Sequence, residues 1–140
     1  MISNEFRPEV VLFEPEIPPN TGNIGRTCVA LGCKLHLIEP LGFSLDIKAI
    51  RRSGMDYWRE VDVTKHKNLD AFFQANPEGR YLFFTKFSNQ FYHKADYSGR
   101  VFLFFGQESG GLPDSLTKAN PDNCFRLPMI EGKRSLNLSN

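Results

Sequence analysis

A chain of 140 residues can form one α/β domain with a real core, but has no room for a catalytic domain plus a separate recognition domain. A hydrophobic fraction of 41% with 13 phenylalanines excludes a disordered segment, and a formal net charge of +1 removes bulk charge as an argument for nucleic-acid binding. Three cysteines without C-x-x-C spacing, three scattered histidines, no signal-peptide pattern and no membrane-length apolar run point to a cytoplasmic protein with reduced thiols, no metal and no membrane partner.

Short apolar runs alternate with helical segments along the chain. Residues 10–13 predict a first strand, and after a Pro/Gly-rich turn residues 23–31 predict a helix stopped by Gly32. A strand follows over 34–38, then a helix over 46–52 ending at Gly54, a short strand over 60–63 and an amphipathic helix over 68–75 halted by Pro77. Two strongly apolar strands over 81–85 and 101–105, a short helix over 113–119 and a last strand over 124–127 complete the pattern. The sum is a single α/β domain over 1–140: a mainly parallel sheet with helices on both faces. The polar run from Ser135 to Asn140 reads as the approach to a helix whose body is absent, so the natural protein is expected to be longer.

Parallel sheets bind ligands beyond the carboxyl ends of their strands. Four loops are predicted there. In the first, prolines stiffen residues 14–19, Gly22 permits a turn, Asn20, Thr21 and Asn23 are candidate helix caps, and Arg26 falls about one turn into the helix, near the carboxyl edge, where it can grip phosphate or ribose. A second loop follows Thr85. The third, residues 106–111, carries Gly106, Gly110 and Gly111, which would let backbone pass close to a ligand, and a lone acidic group, Glu108. It matches neither the dinucleotide nor the P-loop phosphate fingerprint, which removes a nicotinamide or nucleotide-triphosphate reading. The fourth, from Leu127 and Met129 through Ser135, Leu136 and Asn137, mixes apolar residues that could wrap an adenine with polar groups that could fix its edge. Arg51, Arg52, Lys86, Lys133 and Arg134 are the candidate RNA phosphate contacts. Each feature taken alone is weak and has an ordinary structural reading.

Together the segments resemble the three signature motifs of SPOUT methyltransferases in order and spacing. Asn20-Thr21-Gly22-Asn23-Ile24-Gly25-Arg26 is similar to the first, Phe105-Gly106-Gln107-Glu108-Ser109-Gly110-Gly111-Leu112 to the second, and Leu127-Pro128-Met129 with Ser135-Leu136-Asn137-Leu138-Ser139 to the third. Within that class, the stretches around Glu14-Pro15-Glu16-Ile17-Pro18-Pro19 and Ile38-Glu39-Pro40-Leu41-Gly42-Phe43 look like the minimal subfamily that methylates the ribose of nucleotide 34 in leucine transfer RNAs.

The resemblance implies a C-terminal trefoil knot and a homodimer with active sites at the subunit interface. It implies S-adenosylmethionine as cofactor, held by Phe83, Thr85, Gly106, Leu127, Met129, Ser135, Leu136 and Asn137, and Arg26, Asn20 and Glu108 as catalytic residues. The RNA partner would be the anticodon stem-loop of tRNA. Arginine stays protonated, so Arg26 would orient the ribose and stabilise alkoxide charge, with the proton lost to phosphate or water. Alternatives are a 2′-O-methyltransferase acting on another tRNA position or on ribosomal RNA, and a non-catalytic RNA-binding module that keeps the fold.

Overall fold

The structure, a computed structural model, describes residues 7–43 and 56–127. Six parallel strands form one sheet: β1 (Arg7–Phe13), β2 (Lys34–Ile38), β3 (Val63–His66), β4 (Arg80–Phe84), β5 (Arg100–Phe105) and β6 (Cys124–Phe125), in the order β3-β2-β1-β5-β4-β6. Helix α1 (Pro18–Leu31) covers one face, while α2 (Leu69–Ala75) and α3 (Asp114–Ala119) cover the other. The mainly parallel α/β sheet expected from the sequence is therefore present.

Strand alternation divides the core. Leu12, Leu35 and Leu37 pack with Ile24 and Cys28 of α1 and with Trp58 and Val61, whereas Val11, Ile38, Phe83, Phe102 and Phe104 surround Phe72 of α2. Strands buried on both faces are apolar nearly throughout, which is why β4 and β5 read as runs of Leu, Val and Phe. Gly25 sets the approach of α1, because a Cβ there would lie 2.8 Å from the Trp58 ring.

Several expected boundaries are corrected. Helix α1 begins at Pro18, five residues before the expected start, because two prolines at its first positions have φ pre-set for a helix and need no N–H partner. Its N-cap is Ile17, with no side-chain cap, so Asn20, Thr21 and Asn23 lie inside the helix and do not cap it. Arg26 is then the ninth helical residue, roughly 12 Å along the axis from the first, and not one turn in. The strand expected over 60–63 is displaced to Val63–His66, preceded by a 3-10 turn at Asp56–Glu60 that seats Trp58 in the core. The pairing of β6 with β4 ends at Phe125, short of Leu127. The helix expected over 46–52 lies outside the described residues.

One polar chain crosses the core. His36 Nε2 meets Glu9 Oε1 at 2.7 Å and its Nδ1 meets His66 Nε2 at 2.9 Å, while Arg100 Nε donates to Glu9 Oε2 at 2.7 Å and its other nitrogen reaches Asn76 Oδ1 at 3.2 Å. A carboxylate opposite Nε2 fixes that nitrogen as the proton carrier, so Nδ1 accepts from His66 Nε2–H. Burial pushes both imidazoles below their ordinary value of 6.5. Burial opposes ionisation of Glu9 too, but the hydrogen bonds from Arg100 and His36 hold its carboxyl below the usual range. Folded histidines with lowered pKa bind fewer protons than unfolded ones, so this part of the stability is complete above 6.5 and declines as pH falls below it, with Glu9 adding to the loss below 4.5. Thermal denaturation is expected to show a midpoint that falls as pH drops below about 6.5. His66→Gln, which keeps a donor for His36 but cannot titrate, should flatten that slope; a flat wild-type profile would contradict the assignment.

Candidate active site

The sheet order contains one reversal. From β1 the chain moves outward through α1 to β2, and from β5 it moves the other way through α3 to β6, which makes the carboxyl ends of these central neighbours the place where such sheets bind ligands. The first and third predicted loops meet there.

Their contact is a reciprocal lock made by two acidic residues. Glu108 Oε1 accepts from the Glu16 N–H at 2.9 Å, and its Oε2 accepts from the Ile17 N–H at 3.1 Å and from Asn20 Nδ2 at 3.3 Å. In return the Glu16 carboxylate accepts from the Ser109 N–H at 2.9 Å and from its hydroxyl at 2.8 Å. Gln107 Nε2 donates to Glu14 Oε1 at 3.1 Å alongside. The Glu108 charge thus sits against the amino end of α1, where it accepts from the N–H groups of Glu16 and Ile17 and is favoured by the helix dipole. Gly42 N donates to the Pro15 carbonyl at 2.9 Å and supports the loop from behind; a Cβ at Gly42 would lie 2.8 Å from Glu16 Cα.

Gly106 has a local reason for being glycine. A Cβ there would lie 2.1 Å from the Gly111 carbonyl carbon, because residues 107 and 111 close the loop by mutual backbone hydrogen bonds and Gly111 itself has φ of 67°. The freedom is used to fold the loop on itself, and this turns Glu108 toward α1.

Of the residues expected at the cofactor, Thr85, Gly106 and Leu127 stand half-buried just beyond β4, β5 and β6, three adjacent strands. Phe83 is buried beneath them, its ring packed on Phe104 at 4.8 Å between centroids, so its side chain is core. An apolar floor under a row of half-buried strand ends suits an adenine and a ribose in chemistry. Asn20 and Glu108 are brought together. Arg26 is exposed on α1, and Lys86 is exposed immediately after Thr85. Met129, Ser135, Leu136, Asn137, Arg51, Arg52, Lys133 and Arg134 lie outside the described residues. Among the described residues no group of three or more His, Cys, Asp or Glu is arranged to hold a metal, and no helix is long and apolar enough to cross a membrane.

The lock residues Glu16 and Ser109 escaped the sequence reading. Their signal, an acidic residue among prolines and a serine among glycines, is indistinguishable from a solvated loop until the two segments, 93 residues apart, are paired.

The profile of the SpoU rRNA Methylase family matches residues 7–140. The chain belongs to the SpoU methylase family. It is accordingly a methyltransferase, and S-adenosylmethionine is the methyl donor of the family. A tRNA (cytidine(34)-2′-O)-methyltransferase from Saccharophagus degradans is 50% identical over 133 residues, which cover 94% of this chain and 86% of that protein. A solved structure described as giving insight into the 2-OH methylation of C/U34 on tRNA superposes with a TM-score of 0.86 at 39% identity, covering 96% of this chain and 88% of that one. The SpoU methyltransferase of Streptomyces viridochromogenes, solved in complex with the cofactor AdoMet, shares the fold at a TM-score of 0.75 and 20% identity, covering 99% of this chain and 54% of that one.

Proposed function

We propose that this SpoU methylase transfers a methyl group from S-adenosylmethionine to the ribose 2′-hydroxyl of nucleotide 34 of tRNA, with leucine isoacceptors as substrates and the anticodon stem-loop as the part recognised. The observation that carries the reading is the lock between the two loops at the sheet's reversal point, because it fixes the start of α1, and with it Arg26, relative to the strand ends at Thr85, Gly106 and Leu127. The relative of 50% identity, which carries this activity in its name, supports the position on the RNA.

S-adenosylmethionine supplies an electrophilic methyl group on its sulfonium when bound. Thr85, Gly106 and Leu127, with Met129, Ser135, Leu136 and Asn137 of the third motif, are the residues that would hold it. A guanidinium offers donors and no acceptor, so Arg26 serves as a donor: it orients the 2′-hydroxyl and stabilises the negative charge that grows as the hydroxyl proton passes to water or phosphate. Asn20 and Glu108 act through α1. Both Glu108 oxygens are taken up by protein donors, which suits a positioning residue better than a base.

Arg26 lies more than two turns from the amino end of α1, on the exposed face that also carries Asn23, Thr27 and Ala30. An arginine exposed at that point on α1 is available to a site formed between two subunits. This supports the homodimer, with the C-terminal trefoil knot of the family and a cytoplasmic location as parts of the same reading. The test is to incubate the protein with labelled S-adenosylmethionine and bulk tRNA and to map the label. Label on the ribose of nucleotide 34 of leucine tRNAs is expected; label at another position, or in ribosomal RNA only, would overturn the reading.

A further inference from the structure

The segment that follows β4 exposes more aromatic surface than any other described part of the molecule. Phe87 is 80% exposed, and Phe91 and Tyr92 are 43% and 41% exposed. Isolated surface aromatics are ordinary, but three within six residues on one loop are not. The loop is also held in place. Ser88 Oγ donates to the Cys124 carbonyl at 2.7 Å, Gln90 Nε2 donates to the Asp122 and Cys124 carbonyls at 3.2 and 3.1 Å, and the backbone of Gln90 and Tyr92 brackets Arg126 at 2.7 and 2.8 Å. Such anchoring keeps the rings in water instead of letting them collapse onto the core.

The surroundings define what would cover them. Lys86 Nζ sits 5.3 Å from the Phe87 ring centroid, and the Phe91 and His93 rings stack at 6.3 Å with 12° between planes. From Thr85 to Lys94 the loop carries Lys86, His93 and Lys94 and no carboxylate. Phe87 overhangs an open cavity of about 680 Å³ whose charged lining is Lys118 with Asp114 and Asp122. That balance disfavours a phosphate inside the cavity, while the lysines along the loop favour one outside it. Flat uncharged rings threaded on an anionic backbone meet both conditions, which is the chemistry of unpaired nucleotides.

We infer that Phe87, supported by Lys86 and flanked by Phe91 and Tyr92, is a stacking platform for unpaired bases of the RNA substrate, next to Thr85 at the cofactor side of the site. The inference rests on the proposed action at the anticodon loop and names the residues that read its single-stranded character. Duplex RNA keeps its bases stacked inside and offers the platform nothing.

The test compares binding of two RNAs, an anticodon stem-loop and a blunt duplex with the same stem, to wild type, Phe87→Ala and Phe87→Trp, with light scattering on each protein. Phe87→Ala is expected to weaken stem-loop binding by about tenfold and to leave duplex binding unchanged, and Phe87→Trp to retain stem-loop affinity. Equal stem-loop affinity for wild type and Phe87→Ala, or an equal loss on both RNAs, would overturn the platform, as would a change in molecular mass on Phe87→Ala, which would make this face a contact between copies of the chain. Failure of wild type to label nucleotide 34 is a separate result, bearing on the proposed reaction and not on the discrimination of loop from duplex.

Discussion

Arg26→Ala is expected to reduce methyl transfer to tRNA on the order of 10²–10³-fold while leaving the affinity for S-adenosylmethionine, measured by calorimetry, within about twofold of wild type. Arg26 is exposed on α1, more than two turns from the helix's amino end, whereas Thr85, Gly106 and Leu127 stand just beyond β4, β5 and β6, so it is not among the residues expected to hold the cofactor. What its loss would remove is the donor proposed to stabilise charge on the ribose oxygen, and such a donor acts far more strongly in the transition state than in the ground state. Arg26→Lys should recover little, because a point charge cannot reproduce the planar fork that holds a hydroxyl and a phosphate together. Wild-type-like methylation by Arg26→Ala would remove the residue from the reaction.

Glu108→Ala is expected to cost about 2 kcal/mol of folding stability and most of the activity at once. Three donors, the Glu16 and Ile17 N–H groups and the Asn20 amide, lose a charged acceptor together, and α1 loses the anion at its amino end. The Glu16–Ser109 half of the lock remains, so the loops stay in contact but the start of α1 is released. Glu108→Gln should fall between the two, since one amide oxygen can still accept but the amide nitrogen would face a second donor. Chemical denaturation measures the first effect and single-turnover methylation the second. A Glu108→Ala protein as stable and as active as wild type would show that the lock positions nothing.

Arg26 and Glu108 both stood out in the sequence as members of ordered motifs, but only their families of neighbours in space separate their roles. Glu108 could be a base, a ligand or a solvated turn residue when read along the chain. With both oxygens filled by donors from residues 16, 17 and 20, its work is structural, in support of α1. Gly106 and Gly111 read as permissive positions beside a ligand, yet they are needed by the turn they make with each other.

Much of the fold was legible because it follows from local chemistry. Period-two burial and unbroken apolar runs marked β1, β2, β4 and β5 within a few residues, since strands covered on both faces need apolar side chains at nearly every position. Gly32, with φ of 70°, and Pro77 marked helix ends for backbone reasons that hold anywhere. The start of α1 lies earlier than expected because Pro18 and Pro19, read as part of a stiff Pro/Gly-rich turn, occupy the first helical positions, where proline is favoured. The short β3 was misplaced because two of its four residues are exposed polar ones, leaving little periodicity to detect.

By itself, then, the sequence determined the α/β class, the strands of the sheet's interior and the motif order that leads to the methylase family, since each depends on residue types and spacings along one segment. Strand order, the reversal between β1 and β5, the lock of Glu108 on α1, the Glu9–His36–His66 chain and the exposed aromatic loop after β4 were decided only by the tertiary structure. These join residues between about 27 and 93 positions apart, and no local pattern encodes which distant partner will fill a hydrogen bond or cover a ring.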